Sequence, residues 1–168
     1  MAEKKYILSK ETAEKKLRRM ALEVAERNFD EQQIILIGIK DNGLVIAHLI
    51  SNYLKEVFAG EVIVTALSLN KKIPEAITIT PAMDFNNKTI LLIDDVANSG
   101  KTMLYALKPL LETYPKKIQT LALLERTHKS FPIDVDYVGL SISTTLHEHI
   151  FVEVLGDKVT GAWMEMAP

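Results

Sequence analysis

The sequence predicts an α/β fold on a central, mostly parallel sheet flanked by helices, and three observations carry that expectation. Apolar runs at residues 34–37, 90–93 and 118–124 read as strands covered on both faces. Segments with apolar residues at helical spacing alternate with them, the pattern of strands joined by crossover helices. Small and polar residues close the runs where a strand would turn into a helix. With 168 residues, 48% of them hydrophobic, the chain is sized for a single well-cored domain.

Each element has a local reason. Ala13, Leu17, Met20, Ala21 and Val24 recur at helical spacing, which predicts an amphipathic helix over 10–27 with Ser9 as N-cap. Its other face carries Lys15, Lys16, Arg18 and Arg19 and reads as solvated. A strand at 34–39 leads through a loop to a helix over 43–58, whose stripe is Ile46, Leu49, Ile50, Tyr53, Leu54 and Val57. Residues 62–67 supply another strand. The pattern then breaks over 68–88, where Lys71, Lys72, Pro74 and Pro81 surround the alternating Ile77-Thr78-Ile79-Thr80, as in an extended hairpin or flap. After the strand at 90–93, a helix from Thr102 should turn Leu104, Leu107, Leu110 and Leu111 inward until Pro109 kinks or shortens it. A strand at 118–124 follows, and the tail alternates at 150–154 and 159–164, giving a small hood from about 125–168.

Composition excludes some functions. Without cysteine there is no disulfide framework, thiolate nucleophile or thiolate metal site. A net charge of -2 argues against a broad nucleic-acid footprint but leaves room for a local patch. No long apolar run or signal-like start is visible, so the expectation is a cytoplasmic protein without membrane contact.

The most informative segment is Ile90-Leu91-Leu92-Ile93-Asp94-Asp95-Val96-Ala97-Asn98-Ser99-Gly100-Lys101-Thr102. A buried strand ends in an acidic pair, then in a loop of phosphate size beyond the strand's carboxyl end, where open α/β sheets bind ligands. Ser99 and Thr102 offer hydroxyl donors, Gly100 lets backbone approach an anion, and Asp94 and Asp95 suit a ribose diol or a hydrated metal. Gly100-Lys101-Thr102 mimics the end of a Walker A loop, but that motif needs glycine where Asp95 stands.

This segment resembles the phosphoribosyl pyrophosphate (PRPP) motif of type I phosphoribosyltransferases: four apolar residues, two acidic ones, a short variable stretch, then a hydroxyl residue, glycine and Thr, with Ser99 in place of the usual first Thr. Gly38-Ile39-Lys40-Asp41-Asn42-Gly43 resembles the family's pyrophosphate loop, and Asp136-Tyr137-Val138-Gly139-Leu140 its base-binding hood segment. From end to end the layout is most similar to the PyrR-type members, which combine uracil phosphoribosyltransferase activity with mRNA-binding attenuation. The resemblance implies a type I phosphoribosyltransferase-like fold and transfer of ribose 5-phosphate from PRPP to a nitrogen base. It places the 5-phosphate on Ala97, Asn98, Ser99, Gly100, Lys101 and Thr102, and pyrophosphate on Lys40, Asp41, Asn42 and Gly43. It gives Asp94 and Asp95 the ribose and, through water, Mg²⁺, and it assigns the base to Glu125, Arg126, Tyr137 and Val138.

Departures refine the expectation. Asn42 stands where PyrR-like chains usually carry arginine, and Lys71 or Lys72 in a shorter flap is left to supply a cation. The 6-oxopurine enzymes generally place Asp at the position of Asn98 and Lys at that of Glu125, so a pyrimidine, uracil, is preferred. His147 and His149 lack a third ligand at metal spacing, and they and His128 read as exposed histidines. Trp163 reads as a packing or dimer-contact residue. Two functions follow: a PRPP-dependent uracil phosphoribosyltransferase, or a nucleotide-sensing regulator that binds a nucleoside monophosphate and acts on RNA or a protein partner. The resemblance also implies a homodimer or higher homo-oligomer.

Overall fold

In the computed structural model, which describes residues 3–166, the main sheet has six strands. They are β2 (Gln33–Ile39), β3 (Glu61–Ser68), β4 (Thr78–Thr80), β5 (Thr89–Ala97), β6 (Lys117–Arg126) and β7 (Tyr137–Ile142), in the order β4-β3-β2-β5-β6-β7. Every neighbouring pair is parallel except β3 with β4. The central strands β2 and β5 are buried along nearly their whole length, which is why their sequences are continuous apolar runs rather than alternating ones.

Helix α1 (Lys10–Arg27) starts at Ser9, whose hydroxyl accepts the Thr12 N–H at 3.2 Å, and its buried stripe is the expected Ala13, Leu17, Met20, Ala21 and Val24. Its basic face is not wholly solvated. Lys16 Nζ donates to Gly139 O at 3.1 Å and Arg19 to Val138 O at 3.0 Å. Both carbonyls belong to the edge strand β7, so these cations tie α1 to the edge of the main sheet. Helix α2 (Asn42–Val57) buries Ile46, Ala47, Ile50 and Leu54, while Val57, expected inward, lies exposed at the last turn. The helix expected after Thr102 is broken into α3 (Lys101–Ala106) and α4 (Lys108–Leu111), with Leu107 between them and Pro109 just inside α4. The buried stripe keeps helical spacing across the break but is Met103, Ala106 and Leu110, and Leu111 is 67% exposed rather than buried.

The hood differs from expectation in its boundaries. It is a three-stranded antiparallel sheet of β1 (Lys5–Ser9), β9 (Lys158–Met166) and β8 (Glu148–Leu155), in that order. Residues 125–126 and 137–142 belong to the main sheet, with a loop over 127–136 between them, and the N-terminal strand takes their place in the hood. Leu8, Ile150, Val152, Val159 and Ala162 share one apolar cluster with α1, α2 and one face of the main sheet, so the hood is packed onto the core. A second cluster, including Ile35, Leu92, Met103 and Leu110, fills the other face. The flap returns to the sheet as β4, with Thr65 Oγ1 donating to Pro81 O at 3.1 Å, and delivers residues 69–77 beside the carboxyl ends of the strands. Among the described residues no helix is long and apolar enough to cross a membrane.

Candidate active site

The site forms where β2 and β5 end and α2 begins. Gly43, in the first turn of α2, packs so closely on β5 that a Cβ there would lie 2.7 Å from Ile93 O and 3.1 Å from Asp94 Cα. The α2 N-terminus is thereby pressed against the acidic pair, a favourable place for carboxylates.

The two aspartates have different surroundings. Asp94 is 1% exposed; its Oδ1 accepts the Asp95 N–H at 2.9 Å, and Lys71 Nζ lies 3.4 and 3.5 Å from its two oxygens. Burial pushes the Asp94 carboxyl up to about 7, repulsion from Asp95 adds to the rise, and the half-exposed Lys71 ammonium offsets only part of it. Asp95 is half-buried and held at both oxygens: Oδ1 accepts the Val96 N–H at 2.8 Å and Oδ2 accepts Asn42 Nδ2 at 3.0 Å. The same Asn42 nitrogen donates to Val152 O of the hood at 3.1 Å.

The loop after β5 is supported from behind. Ser99 O accepts the N–H groups of Ser130 and Phe131 at 2.9 and 3.0 Å, and Ser99 Oγ accepts the Lys101 N–H at 3.3 Å. Gly100 has φ +86, and a Cβ there would meet Ile133 Cγ2 at 2.2 Å, so both backbone and space call for glycine. Lys101 Nζ reaches across to Lys72 O at 3.4 Å, tying flap to loop.

A cleft of about 240 Å³ joins Asn42, Lys71, Asp94, Asp95 and the loop residues Ala97 to Thr102 to Ile150, Phe151 and Val152 of the hood. Beside it, a cleft of about 360 Å³ is lined by Lys40, Asp41, Asn42, Leu69, Lys71 and Asp95. Asp95 and Lys71 thus line both clefts, beside both expected phosphate loops, while Asp94 lines the first alone. Lys72 contributes a backbone carbonyl and keeps its side chain exposed.

The residues expected to hold the base do not line these clefts. Tyr137 is fully buried; its hydroxyl donates to Gln119 Oε1 at 3.0 Å and accepts from Asn28 Nδ2 at 3.3 Å. It opens β7 in register with Leu121 of β6, which pairs with Ile93 of β5, so it stands level with the start of the acidic pair but two strands away, with its side chain turned into the core. Val138 packs among the second core cluster, and its carbonyl is the one held by Arg19. Glu125 pairs with Lys129 at 3.0 Å. Arg126 donates to Thr144 Oγ1 at 2.7 Å and Thr145 O at 3.0 Å, and His128 Nε2 donates to Thr144 O at 2.6 Å. Arg126 and His128 therefore brace the segment between β7 and β8. Phe151, read only as part of an alternating tail, contributes to the hood wall: it is 40% exposed and its ring stacks on Trp163 at 4.5 Å and 22°. Its signal in the sequence was an aromatic at an outward-facing strand position.

Two acidic groups, a flap cation and two polar loops around a cleft are the parts needed to hold a phosphorylated sugar with a second phosphate group beside it. Residues 4–156 match the family described as phosphoribosyl transferase domain. The chain is 33% identical over 165 residues to the bifunctional protein PyrR of Clostridioides difficile (strain 630), covering 92% of this chain and 93% of that one. It is 33% identical over 160 residues to that of Enterococcus faecalis (strain ATCC 700802 / V583), covering 90% of each. Among solved structures, the hypoxanthine phosphoribosyltransferase of Trypanosoma cruzi superposes with a TM-score of 0.80 at 15% identity, over 99% of this chain and 98% of that one. A hypoxanthine-guanine phosphoribosyltransferase from Bacillus anthracis gives 0.69 at 20% identity over 85% of each. The family match over nearly the whole chain, on a fold shared with these enzymes and with the acidic pair at its strand ends, makes this chain a member of the phosphoribosyltransferase family.

Proposed function

We propose that this chain transfers ribose 5-phosphate from PRPP to N1 of uracil, releasing pyrophosphate. The observation that carries the reading is the position of Asp95 and Lys71 between two clefts, one edged by residues 97–102 and floored by Asp94, the other edged by Lys40 to Asn42. The bond from the sugar carbon to pyrophosphate breaks, positive charge develops on that carbon and the ring oxygen, and a carbon–nitrogen bond forms as the base loses its proton.

The residues divide the work. The backbone and hydroxyls of Ala97 to Thr102 hold the 5-phosphate through neutral donors. Asp95, fixed at both oxygens, orients the ribose diol. Lys71, with a reach into both clefts, and Lys40 face the departing pyrophosphate as point charges. Phe151 and its neighbours wall the cleft on the base side and exclude water from the developing cation. Among the described residues no group of three metal-ligating side chains gathers, so the protein offers no all-protein metal cage. The acidic pair suits a hydrated Mg²⁺ that PRPP carries, since Mg²⁺ is commonly held by one or two carboxylates and substrate phosphates. Bound there, the ion would neutralise charge on the leaving pyrophosphate.

Uracil is favoured by neutral Asn98 in the loop and by Glu125, engaged with Lys129, at the position where purine enzymes generally use lysine. A regulatory reading draws on Asn42, which brings no cation to the pyrophosphate cleft and would leave turnover slow while nucleotide binding survives. RNA as a further partner is what the end-to-end resemblance to PyrR-type members implies, and the relatives are named bifunctional. The test is a screen of radiolabelled uracil, cytosine, hypoxanthine and guanine with PRPP and Mg²⁺. UMP formation alone is expected; turnover of a purine overturns the base assignment. Tight UMP binding with no turnover, together with salt-dependent binding to a structured leader RNA, moves the conclusion to the regulator.

A further inference from the structure

We infer that Asn42 is a positioning residue that couples the hood to the ribose-orienting Asp95, and that its side chain does not bind pyrophosphate. An asparagine amide has two N–H donors and one acceptor oxygen. Both partners of the Asn42 nitrogen, Asp95 Oδ2 at 3.0 Å and Val152 O at 3.1 Å, are acceptors only, so the two donors are fully committed and the amide has one possible orientation. What remains is an acceptor oxygen, which repels an anion. Pyrophosphate on the loop Lys40 to Gly43 would then meet the backbone of Asn42 and not its side chain.

The two acceptors lie on different sheets. Asp95 is near the end of β5 in the main sheet, and Val152 is in β8 of the hood, between Phe151 and Glu153. One amide thus joins the wall that faces the base to the carboxylate that faces the sugar. Asn42 itself cannot drift, because it opens α2 beside Gly43, whose backbone is wedged against Asp94. Movement of the hood toward a base pulls on the same group that orients Asp95, so occupation of the base side and a correctly turned Asp95 favour one another. An arginine at this position could deliver charge to pyrophosphate but would not reproduce this short two-acceptor bridge.

The coupling rests on the phosphoribosyl-transfer reading for its ligands, and two measurements separate them. Calorimetry on wild type, Asn42→Ala and the near-isosteric, uncharged Asn42→Leu compares UMP, ribose 5-phosphate and pyrophosphate. Loss of a hydrogen bond to a charged acceptor predicts that the advantage of UMP over ribose 5-phosphate shrinks about 10-fold in both variants, with pyrophosphate affinity within about 2-fold of wild type. A fall in pyrophosphate affinity with that advantage intact overturns the inference, as does an equal loss for all three ligands. Hydrogen exchange on the ligand-free protein gives the second readout: amides of residues 148–155 should exchange about 10-fold faster in Asn42→Ala while α1 keeps its protection. Unchanged exchange there sinks the coupling even if wild type fails to bind UMP, an outcome that would itself refute the uracil reading alone.

Discussion

Replacing Asp94 by asparagine isolates the cost of keeping a carboxyl group in the floor of the cleft. The folded protein holds this proton up to about pH 7, against an ordinary value of 3.8, because burial and Asp95 both oppose the charge. The folded form therefore binds more protons than the unfolded chain between those limits, and stability falls as pH rises through the window. A shift of about three units corresponds to about 4 kcal/mol lost above pH 7 relative to acid, of which about 2.5 kcal/mol falls between pH 5 and pH 8. Asparagine has nearly the same shape, can still accept the Asp95 N–H, and stays neutral throughout. Asp94→Asn should therefore gain on wild type by about 2.5 kcal/mol between pH 5 and pH 8. Urea unfolding of the ligand-free proteins at the two pH values measures it as a widening gap in midpoint. The same variant should lose PRPP binding by calorimetry. A gap that stays constant or narrows toward pH 8 would show that Asp94 is already a settled carboxylate paired with Lys71, and the argument from burial would be wrong.

Three further outcomes are expected. Lys71→Met removes a half-exposed cation, so stability should change by less than about 1 kcal/mol while the KM for PRPP rises about 10-fold; an unchanged KM would remove Lys71 from the pyrophosphate site. Gly100→Ala forces a side chain into a left-handed backbone against Ile133, and should cost about 1–3 kcal/mol in stability and at least about 10-fold in ribose 5-phosphate affinity, both readable from thermal shift and calorimetry. Tyr137→Phe deletes a buried hydroxyl with two partners and should cost about 1–2 kcal/mol on unfolding with kcat and KM for the base unaltered; a KM shift of several fold would return Tyr137 to the base site.

What could be read from sequence, and what could not, follows from the range of the interactions involved. The segment from Ile90 to Thr102 is legible because its parts act locally: a run buried on both faces, an acidic pair at its end, and a glycine whose positive φ only the next few residues need. Helix α1 is legible for the same reason, since its cap and stripe recur within single turns. The hood is not, because β1 is five residues long with only Leu8 buried, and its partner β9 lies at the other end of the chain. Tyr137 was misplaced by quantities no local window contains: the sheet order, which sets β7 two strands from β5, and the pleat, which turns the ring into the core with Leu121 instead of toward the cleft. Asn42 combines both cases. Its place at the turn into α2 is evident from the glycines around it, but its role depends on two acceptors 53 and 110 residues away, on separate sheets. A substitution that looks like a lost cation within the loop is, in the folded chain, a neutral bridge between the hood and Asp95. The flap supplies what charge remains through Lys71, which reaches Asp94 only because β4 folds the flap back onto the sheet edge.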